Sequence, residues 1–200
     1  MTEFTRRKFL AGVGATVAVG SVLSPHAGAE EAEVVADRVL GPGPLKIAFR
    51  VNGKPTEVAV EPRVTLLDCL RTRLDLTGAK PICDRGACGG CTVLLDGRPV
   101  NSCLLLAVDA SGRDVTTVEG LAPEGELTPL QRAFCDHDAL QCGYCTPGMV
   151  VAAPALLAAR PRPPDPGRER GLSGNICRCG TYVRIREAIR SIAPSGEGSR

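Results

Sequence analysis

Large aromatic side chains are scarce in this 200-residue sequence, which contains no Trp, two Tyr and four Phe. A chain with so few large side chains builds small hydrophobic cores, and small cores often depend on covalent or metal cross-links. Histidine is also scarce, since only His26 and His137 are present. Ten cysteines are the residues that could supply cross-links.

The sequence has no marked excess of charge. Its first 29 residues carry Arg6, Arg7 and Lys8 against Glu3, which leaves 21 basic and 21 acidic side chains in the remainder. Binding to a phosphate backbone requires a net or clustered basic field. We therefore expect no nucleic-acid partner.

A long apolar run is missing as well. The stretch from Leu10 to Leu23 is too short and too rich in glycine for a stable membrane span. It follows Arg6-Arg7 and precedes Ala27-Gly28-Ala29, a small-x-small cleavage pattern, and so resembles a twin-arginine signal peptide over residues 1–29. This layout predicts export to the periplasm of a chain already folded; the alternative is a basic tail followed by a core helix.

Residues 30–44 are acidic and then rich in Gly and Pro, as expected for a tether. Alternation over Leu45–Val51, the turn residues Asn52-Gly53 and a returning strand from Thr56 to Val60 predict a hairpin. Thr65 is placed to cap a helix that carries Leu66, Leu67, Leu70 and Leu74 on one face. A second hairpin is predicted from Cys91–Leu95, a turn at Asp96-Gly97, and Val100–Val108. Residues 45–120 thus indicate a small β-grasp sheet, the N-terminal half of an α+β fold.

The periodicity becomes helical in the second half. Residues 109–127 have the composition of connecting sequence, and we place the linker between the domains at 121–127. Candidate helices within the second domain, residues 128–193, are Pro129–His137, Thr146–Ala159 and Thr181–Ile192. Pro154 should kink the second helix, because it removes a backbone donor. A loop is expected over residues 160–171, and residues 194–200 form a tail.

The first cysteine group consists of Cys83, Cys88, Cys91 and Cys103. Its four-then-two spacing, followed by a distant fourth cysteine, is that of a plant-type [2Fe–2S] cluster. Glycines within the loop let the backbone curl closely, so that its N–H groups point at the sulfurs. A zinc site or two disulfides are the alternatives, although zinc sites usually pair two Cys-x-x-Cys knuckles.

The second group consists of Cys142, Cys145, Cys177 and Cys179. Both halves precede predicted helices, whose dipoles favour thiolate at their N-termini. The group predicts a second four-sulfur site, and taken alone it fits zinc, a redox dithiol or a [2Fe–2S] cluster.

The other candidate residues have less specific explanations. Cys69 lies on the apolar face of its helix and Cys135 is expected in a helix core, both as structural thiols. A Rieske centre needs two histidines on one iron, which makes His137 a structural or solvent-facing residue. Asp136 and Asp138 are expected to be solvated charges at a helix end. Arg178 stands between two ligands and could offset thiolate charge or contact a partner.

Taken together, the two groups resemble the iron–sulfur subunits of the xanthine dehydrogenase and aldehyde oxidoreductase family, the molybdenum hydroxylases. The matching segments are Asp84 to Val93, Asn101 to Leu104, Gln141 to Gly148, and Ser173 to Cys179. With the export signal, the likeness narrows to periplasmic aldehyde oxidoreductases with three separate subunits. It departs at Pro81-Ile82, at Pro154 and at Pro161–Gly171, while all eight cysteines are kept.

The resemblance implies a ferredoxin-like domain, then a four-helix bundle, with one [2Fe–2S] cluster each. It also implies a large partner with molybdenum on a pterin, often the cytosine dinucleotide form, and a third subunit with FAD. Electrons would leave the partner one at a time, passing the second-group cluster and then the first-group cluster before reaching the flavin. Gln141 and Cys179 match positions that contact the pterin. The alternatives left open are a free-standing two-cluster ferredoxin and a secreted zinc or disulfide module.

Overall fold

The computed structural model describes residues 41–122, 125–158 and 171–192. The predicted signal peptide, most of the tether, all but the last residue of the predicted 160–171 loop, and the 194–200 tail lie outside the described residues. All described residues belong to one compact unit.

The first half is built on a five-stranded mixed sheet. Its strands are β1 (Leu45–Val51), β2 (Lys54–Val60), β3 (Thr92–Leu95), β4 (Arg98–Asn101) and β5 (Asp114–Thr116), in the order β2-β1-β5-β3-β4. Only the β1–β5 pair is parallel. The predicted turn at Asn52-Gly53 is present, and both residues have positive φ, at 50° and 77°.

The structure corrects two predictions in this half. The strand expected from Val100 to Val108 ends at Asn101, and Ala107–Ala110 forms a 3-10 turn instead. The chain turns away because the amide of Leu66 donates to the Leu105 carbonyl and the amide of Ala107 to that of Val64. Part of the expected 109–127 connection is β5, which lies at the centre of the sheet.

Helix α1 (Leu66–Thr72) covers the sheet. The Thr65 hydroxyl caps it by accepting from the amide of Asp68, as predicted. Leu66, Leu67 and Leu70 are completely buried with strand residues such as Val93 and Val115 in one hydrophobic core. Cys69 is also completely buried there, which confirms it as a packing residue.

The second half contains three helices in its described part: α2 (Pro129–Asp136), α3 (Thr146–Ala158) and α4 (Tyr182–Ile192). A capping box starts α2, in which Thr128 and Gln131 bond reciprocally. Helix α3 includes Pro154. A second core, with Phe134, Met149 and Ile189 among its members, joins the three helices. A mixed sheet with a separate helical part confirms the predicted combination of β and α elements.

Cys135 does not lie in the helix core, and that prediction was wrong. The side chain is exposed, because Leu130, Ala133 and Phe134 form the buried face of α2 and Cys135 falls beside that face. Asp136 and Asp138 are exposed, as expected, and Asp138 forms an ion pair with Arg184. His137 is half-buried at the end of α2.

Candidate iron–sulfur centres

A tight loop between α1 and β3 carries three cysteines of the first group. The amide of Lys80 donates to the Gly90 carbonyl at 2.9 Å and closes the loop at its base. Gly86 and Gly89 both have φ of +69°, which glycine adopts without strain. A Cβ at Gly86 would overlap Leu104, and one at Gly90 would overlap Ile82. The left-handed backbone at Gly86 and Gly89 therefore favours glycine at these two positions of the loop.

Cys103 completes the first group from beyond strand β4. The Ser102 hydroxyl donates to the Cys91 carbonyl at 2.7 Å and fixes the two segments together. The amide of Gly86 donates to the Cys103 sulfur at 3.2 Å, and the amide of Gly90 lies 3.5 Å from the Cys88 sulfur. The predicted backbone donors thus point at sulfur.

The thiols of the first group interact in two pairs. Donation from the amide of Arg85, and then from the Cys88 thiol, lowers the pKa of Cys83 to about 7. Burial raises the pKa of Cys91 to about 11; the Cys103 amide opposes this shift, and the neighbouring Cys103 thiol adds to it. The pairs are Cys83 with Cys88 on the outer side of the loop, and Cys91 with Cys103 on the buried side.

The second group lies at the N-terminal ends of α3 and α4. Burial, and then the adjacent Cys177 thiol, raises the pKa of Cys145 to about 12. At Cys177 burial raises the pKa, but donors from Thr181 and Cys145 outweigh it, so that the net pKa is lowered. These effects place Cys145 and Cys177 side by side at the base of the site.

The outer edge of the second site faces solvent. Cys142 and Cys179 are exposed, and so is Gln141. Cys142 is close enough to Cys145 for its charge to contribute to the raised pKa of Cys145. Sequence reasoning gave no role to Thr181 or Tyr182, whose hydroxyls contact the Cys177 sulfur and accept from the Cys177 amide, respectively. Their position two and three residues after Cys179, at a helix start, is the signal that could have found them.

The donor set fits a cluster with two irons at each site. All ten cysteines, which all lie within the described residues, are free thiols rather than disulfides. A [2Fe–2S] cluster needs thiolates in pairs, one pair for each iron, and the side-by-side thiols provide such pairs.

One buried polar atom supports the same fit at the second site. Within the described residues, the Thr146 hydroxyl oxygen is the one buried side-chain N or O atom that has no hydrogen-bond partner. Thr146 directly follows Cys145, and a buried hydroxyl is costly unless it finds an acceptor. Cluster sulfur would be such an acceptor.

No helix in the described ranges is both long enough and apolar enough to cross a membrane.

Family models match both halves of the chain. A model described as a 2Fe-2S iron-sulfur cluster binding domain covers residues 49–122, and one described as a [2Fe-2S] binding domain covers residues 117–190.

Curated relatives agree with the two models. The aldehyde oxidoreductase iron-sulfur-binding subunit PaoA of Escherichia coli K12 is 41% identical over 203 residues, which span 94% of this chain and 87% of PaoA. The nicotine 6-hydroxylase small subunit of Paenarthrobacter nicotinovorans is 47% identical over 78% of this chain and 93% of its own length.

Solved structures resemble the fold as well. Quinoline 2-oxidoreductase from Pseudomonas putida 86 superposes with a TM-score of 0.72 at 47% identity, over 75% of this chain and 93% of the matched chain. The aldehyde oxidoreductase of Desulfovibrio desulfuricans ATCC 27774 gives a TM-score of 0.68 at 39% identity, and the match covers only 16% of that longer chain.

Proposed function

This chain belongs to the iron–sulfur subunits of the molybdenum hydroxylases of the aldehyde oxidoreductase and xanthine dehydrogenase type, and from that membership we propose which residues hold its clusters. Its function is electron transfer within an oxidoreductase, and its two family domains correspond to two [2Fe–2S] clusters. Each cluster, when bound, accepts and releases one electron at a time.

Cys83, Cys88, Cys91 and Cys103 hold the first cluster in this proposal, with Cys83 and Cys88 on one iron and Cys91 and Cys103 on the other. The single observation that carries the assignment is the pairing of thiols around a glycine-lined loop whose amides point at sulfur. Such amide donors stabilise an anionic cluster and raise its reduction potential.

Cys142, Cys145, Cys177 and Cys179 hold the second cluster. Support comes from the adjacent Cys145 and Cys177 thiols, the helix N-termini behind them and the unpartnered Thr146 hydroxyl. Because these four cysteines lie at the N-terminal ends of two helices, the second cluster would lie at the edge of the helical part. We propose that the two halves are a β-grasp domain and a four-helix bundle.

A larger catalytic subunit is implied by relatives that are themselves small subunits. We propose that it carries molybdenum on a pterin, as the cytosine dinucleotide form, and that Gln141 and Cys179 contact that pterin. Exposed apolar side chains near Gln141 and Cys179 support the proposal that the catalytic subunit covers this surface. Leu140, Tyr144 and Val183 are apolar or aromatic, and are 39%, 59% and 64% exposed.

A flavin subunit with FAD is proposed for the other side of the relay. Ile82 and Leu104 flank Cys83 and Cys103 in the chain and are 44% and 67% exposed. A second apolar surface therefore lies beside the first cysteine group. Electrons in this arrangement enter through the second group and leave through the first.

The assignment is tested by electron paramagnetic resonance of the anaerobically reduced complex, with spins counted per chain. We expect two distinct S = 1/2 signals of one spin each. Cys103→Ser should abolish or alter only the first-cluster signal, and Cys145→Ser only the second, while Cys69→Ser changes neither. A colourless, iron-free complex, purified anaerobically and intact, would contradict the cluster assignment and favour zinc. Co-purification with a large molybdenum-containing chain at fixed stoichiometry distinguishes a subunit from a free-standing ferredoxin.

We also propose that residues 1–29 direct the folded chain to the periplasm. Arg6-Arg7 followed by a weakly apolar stretch and Ala27-Gly28-Ala29 supports this route. Replacing both arginines (Arg6→Lys with Arg7→Lys) should retain an uncleaved, cluster-containing chain in the cytoplasm. Cell fractionation measures the location of the chain, and unchanged export of the double variant would refute the proposed export route.

A further inference from the structure

The two cysteine-bearing loops touch each other directly. The amide of Ile176, which precedes Cys177, donates to the carbonyl of Cys88 at 2.8 Å. One backbone hydrogen bond therefore joins a cysteine of the first group to the neighbour of a cysteine of the second group.

Glycines allow this approach. A Cβ at Gly89 would lie 2.5 Å from the Gly174 carbonyl oxygen and 2.6 Å from the Asn175 amide nitrogen. A Cβ at Gly148, in the first turn of α3, would overlap the Gly89 carbonyl oxygen. Three segments thus meet at backbone contact: the first-group loop, the 174–177 loop and the start of α3.

The Asn175 side chain forms hydrogen bonds across this junction. It is 7% exposed, and its Nδ2 donates to the Gly89 carbonyl at 2.9 Å and to the Thr92 hydroxyl at 3.3 Å. The Thr92 hydroxyl in turn donates to the same Gly89 carbonyl at 2.7 Å. Both protons of the Asn175 amide are therefore used across the junction. A buried amide with its donors satisfied holds its neighbours in one geometry.

We propose that Asn175 is a positioning residue that sets the separation of the two clusters, by holding the loops on either side of the Ile176–Cys88 hydrogen bond together. The inference rests on the proposed ligand assignment. In the step it serves, one electron leaves the second cluster, which is oxidised by one unit, and enters the first, which is reduced by one unit. No proton or further reactant is needed. The rate of electron tunnelling falls steeply as the distance between the two centres increases. A closely packed junction that keeps this distance short therefore favours the transfer.

The test compares variants in the intact complex with its catalytic partner. Asn175→Asp keeps the shape of the side chain but replaces the NH2 donor with an oxygen that repels the Gly89 carbonyl. Asn175→Ala removes the group entirely. Asn101→Asp is the matched control, because the Asn101 Nδ2 donates to the Gly86 carbonyl of the same loop at 3.0 Å but makes no link to the second loop.

Two readouts separate positioning from general stability. The first is the magnetic interaction between the two reduced clusters, which falls with the cube of their separation and is measured by electron paramagnetic resonance. The second is the rate of electron transfer between the clusters after rapid reduction of the second one. We expect both Asn175 variants to weaken or spread the interaction and to slow the transfer several-fold, with each cluster still present at one per chain. Asn101→Asp should leave the interaction unchanged.

An unchanged interaction and an unchanged rate in Asn175→Ala would overturn the proposal, and so would an equal loss in Asn101→Asp. If the Asn175 variants do not assemble, hydrogen exchange in the wild-type complex decides the matter. The Ile176 amide should exchange slowly, and exchange as fast as in an unstructured peptide would overturn the proposal. Failure of the ligand assignment is distinct, because the wild-type complex would then lack two S = 1/2 signals altogether.

Discussion

The Gly86 amide nitrogen lies 3.2 Å from the sulfur of Cys103, a residue 17 positions further along the chain. Gly86 makes this contact with a left-handed backbone, at φ +69°, and the Leu104 side chain lies where a Cβ at Gly86 would be. One glycine therefore allows the turn after β4 to bring its sulfur to an amide donor on the loop.

Gly86→Ala should for this reason lower occupancy of the first cluster. A left-handed alanine costs about 1–2 kcal/mol, and the overlap with Leu104 adds to that cost. Gly97→Ala is the matched control, because Gly97 has φ +75° in the β3–β4 turn with open space around it. We expect both variants to lose stability but only Gly86→Ala to lose the first-cluster signal. Iron content and visible circular dichroism measure the difference, and equal spectra for the two variants would contradict it.

Local patterns predicted much of this fold because the forces behind them are local. The hairpin of β1 and β2 follows from alternation and the Asn52-Gly53 turn. The Thr65 cap follows from a side chain that reaches the amide three residues ahead. Cysteine spacing identified both groups, since a cluster requires its thiolates at set positions along a loop.

Features that depend on long-range contacts could not be predicted, because local sequence patterns do not record them. Strand β5 is only three residues long, too short to show alternation, and distant strands on either side create it. The apolar run after Asn101 has strand-like composition, yet its partners are loop residues around Thr65. Asn175 has its acceptor 86 residues away, so no local pattern could reveal its role.

The two cysteines outside the groups differ in burial, which predicts different outcomes for their removal. Cys69→Ala should lower the free energy of unfolding by about 1 kcal/mol, because it deletes a sulfur from a filled core. Cys135→Ser should change it by less than about 0.5 kcal/mol, because the Cys135 thiol is exposed. Chemical denaturation measures both. Loss of either cluster signal in Cys135→Ser would show that Cys135 competes as a ligand.

Asp96 predicts an acid-sensitive contribution to stability. The Asp114 amide, and then the Arg113 guanidinium at 2.7 Å, hold the pKa of the Asp96 carboxyl below its ordinary value of 3.8. A depressed folded-state pKa means that the ionised carboxyl stabilises the fold above pH 3.8, and that this contribution is lost as the pH falls through the lowered value. Asp96→Asn keeps the side-chain oxygen but not the charge.

The wild type should therefore be the more stable protein at neutral pH, and the gap to Asp96→Asn should close as the solution is acidified. Thermal unfolding across that range measures it. Asp109→Asn, a change away from this ion pair, should show no such convergence. A gap between wild type and Asp96→Asn that is independent of pH would contradict the electrostatic explanation.

Thr146 offers the sharpest test of the second site, because its hydroxyl is buried and has no hydrogen-bond partner among the described residues. In the cluster-free chain, Thr146→Val should be neutral or slightly stabilising, since it removes an unsatisfied polar atom while keeping the side-chain shape. In the loaded complex the same change should lower the reduction potential of the second cluster, because a donor to its sulfur is lost and the reduced, more negative state needs that donor most. The first cluster in the same sample is the internal control, and its potential should not move. Redox titration followed by electron paramagnetic resonance gives both potentials. A variant whose second-cluster potential matches the wild type would show that the hydroxyl does not contact the cluster.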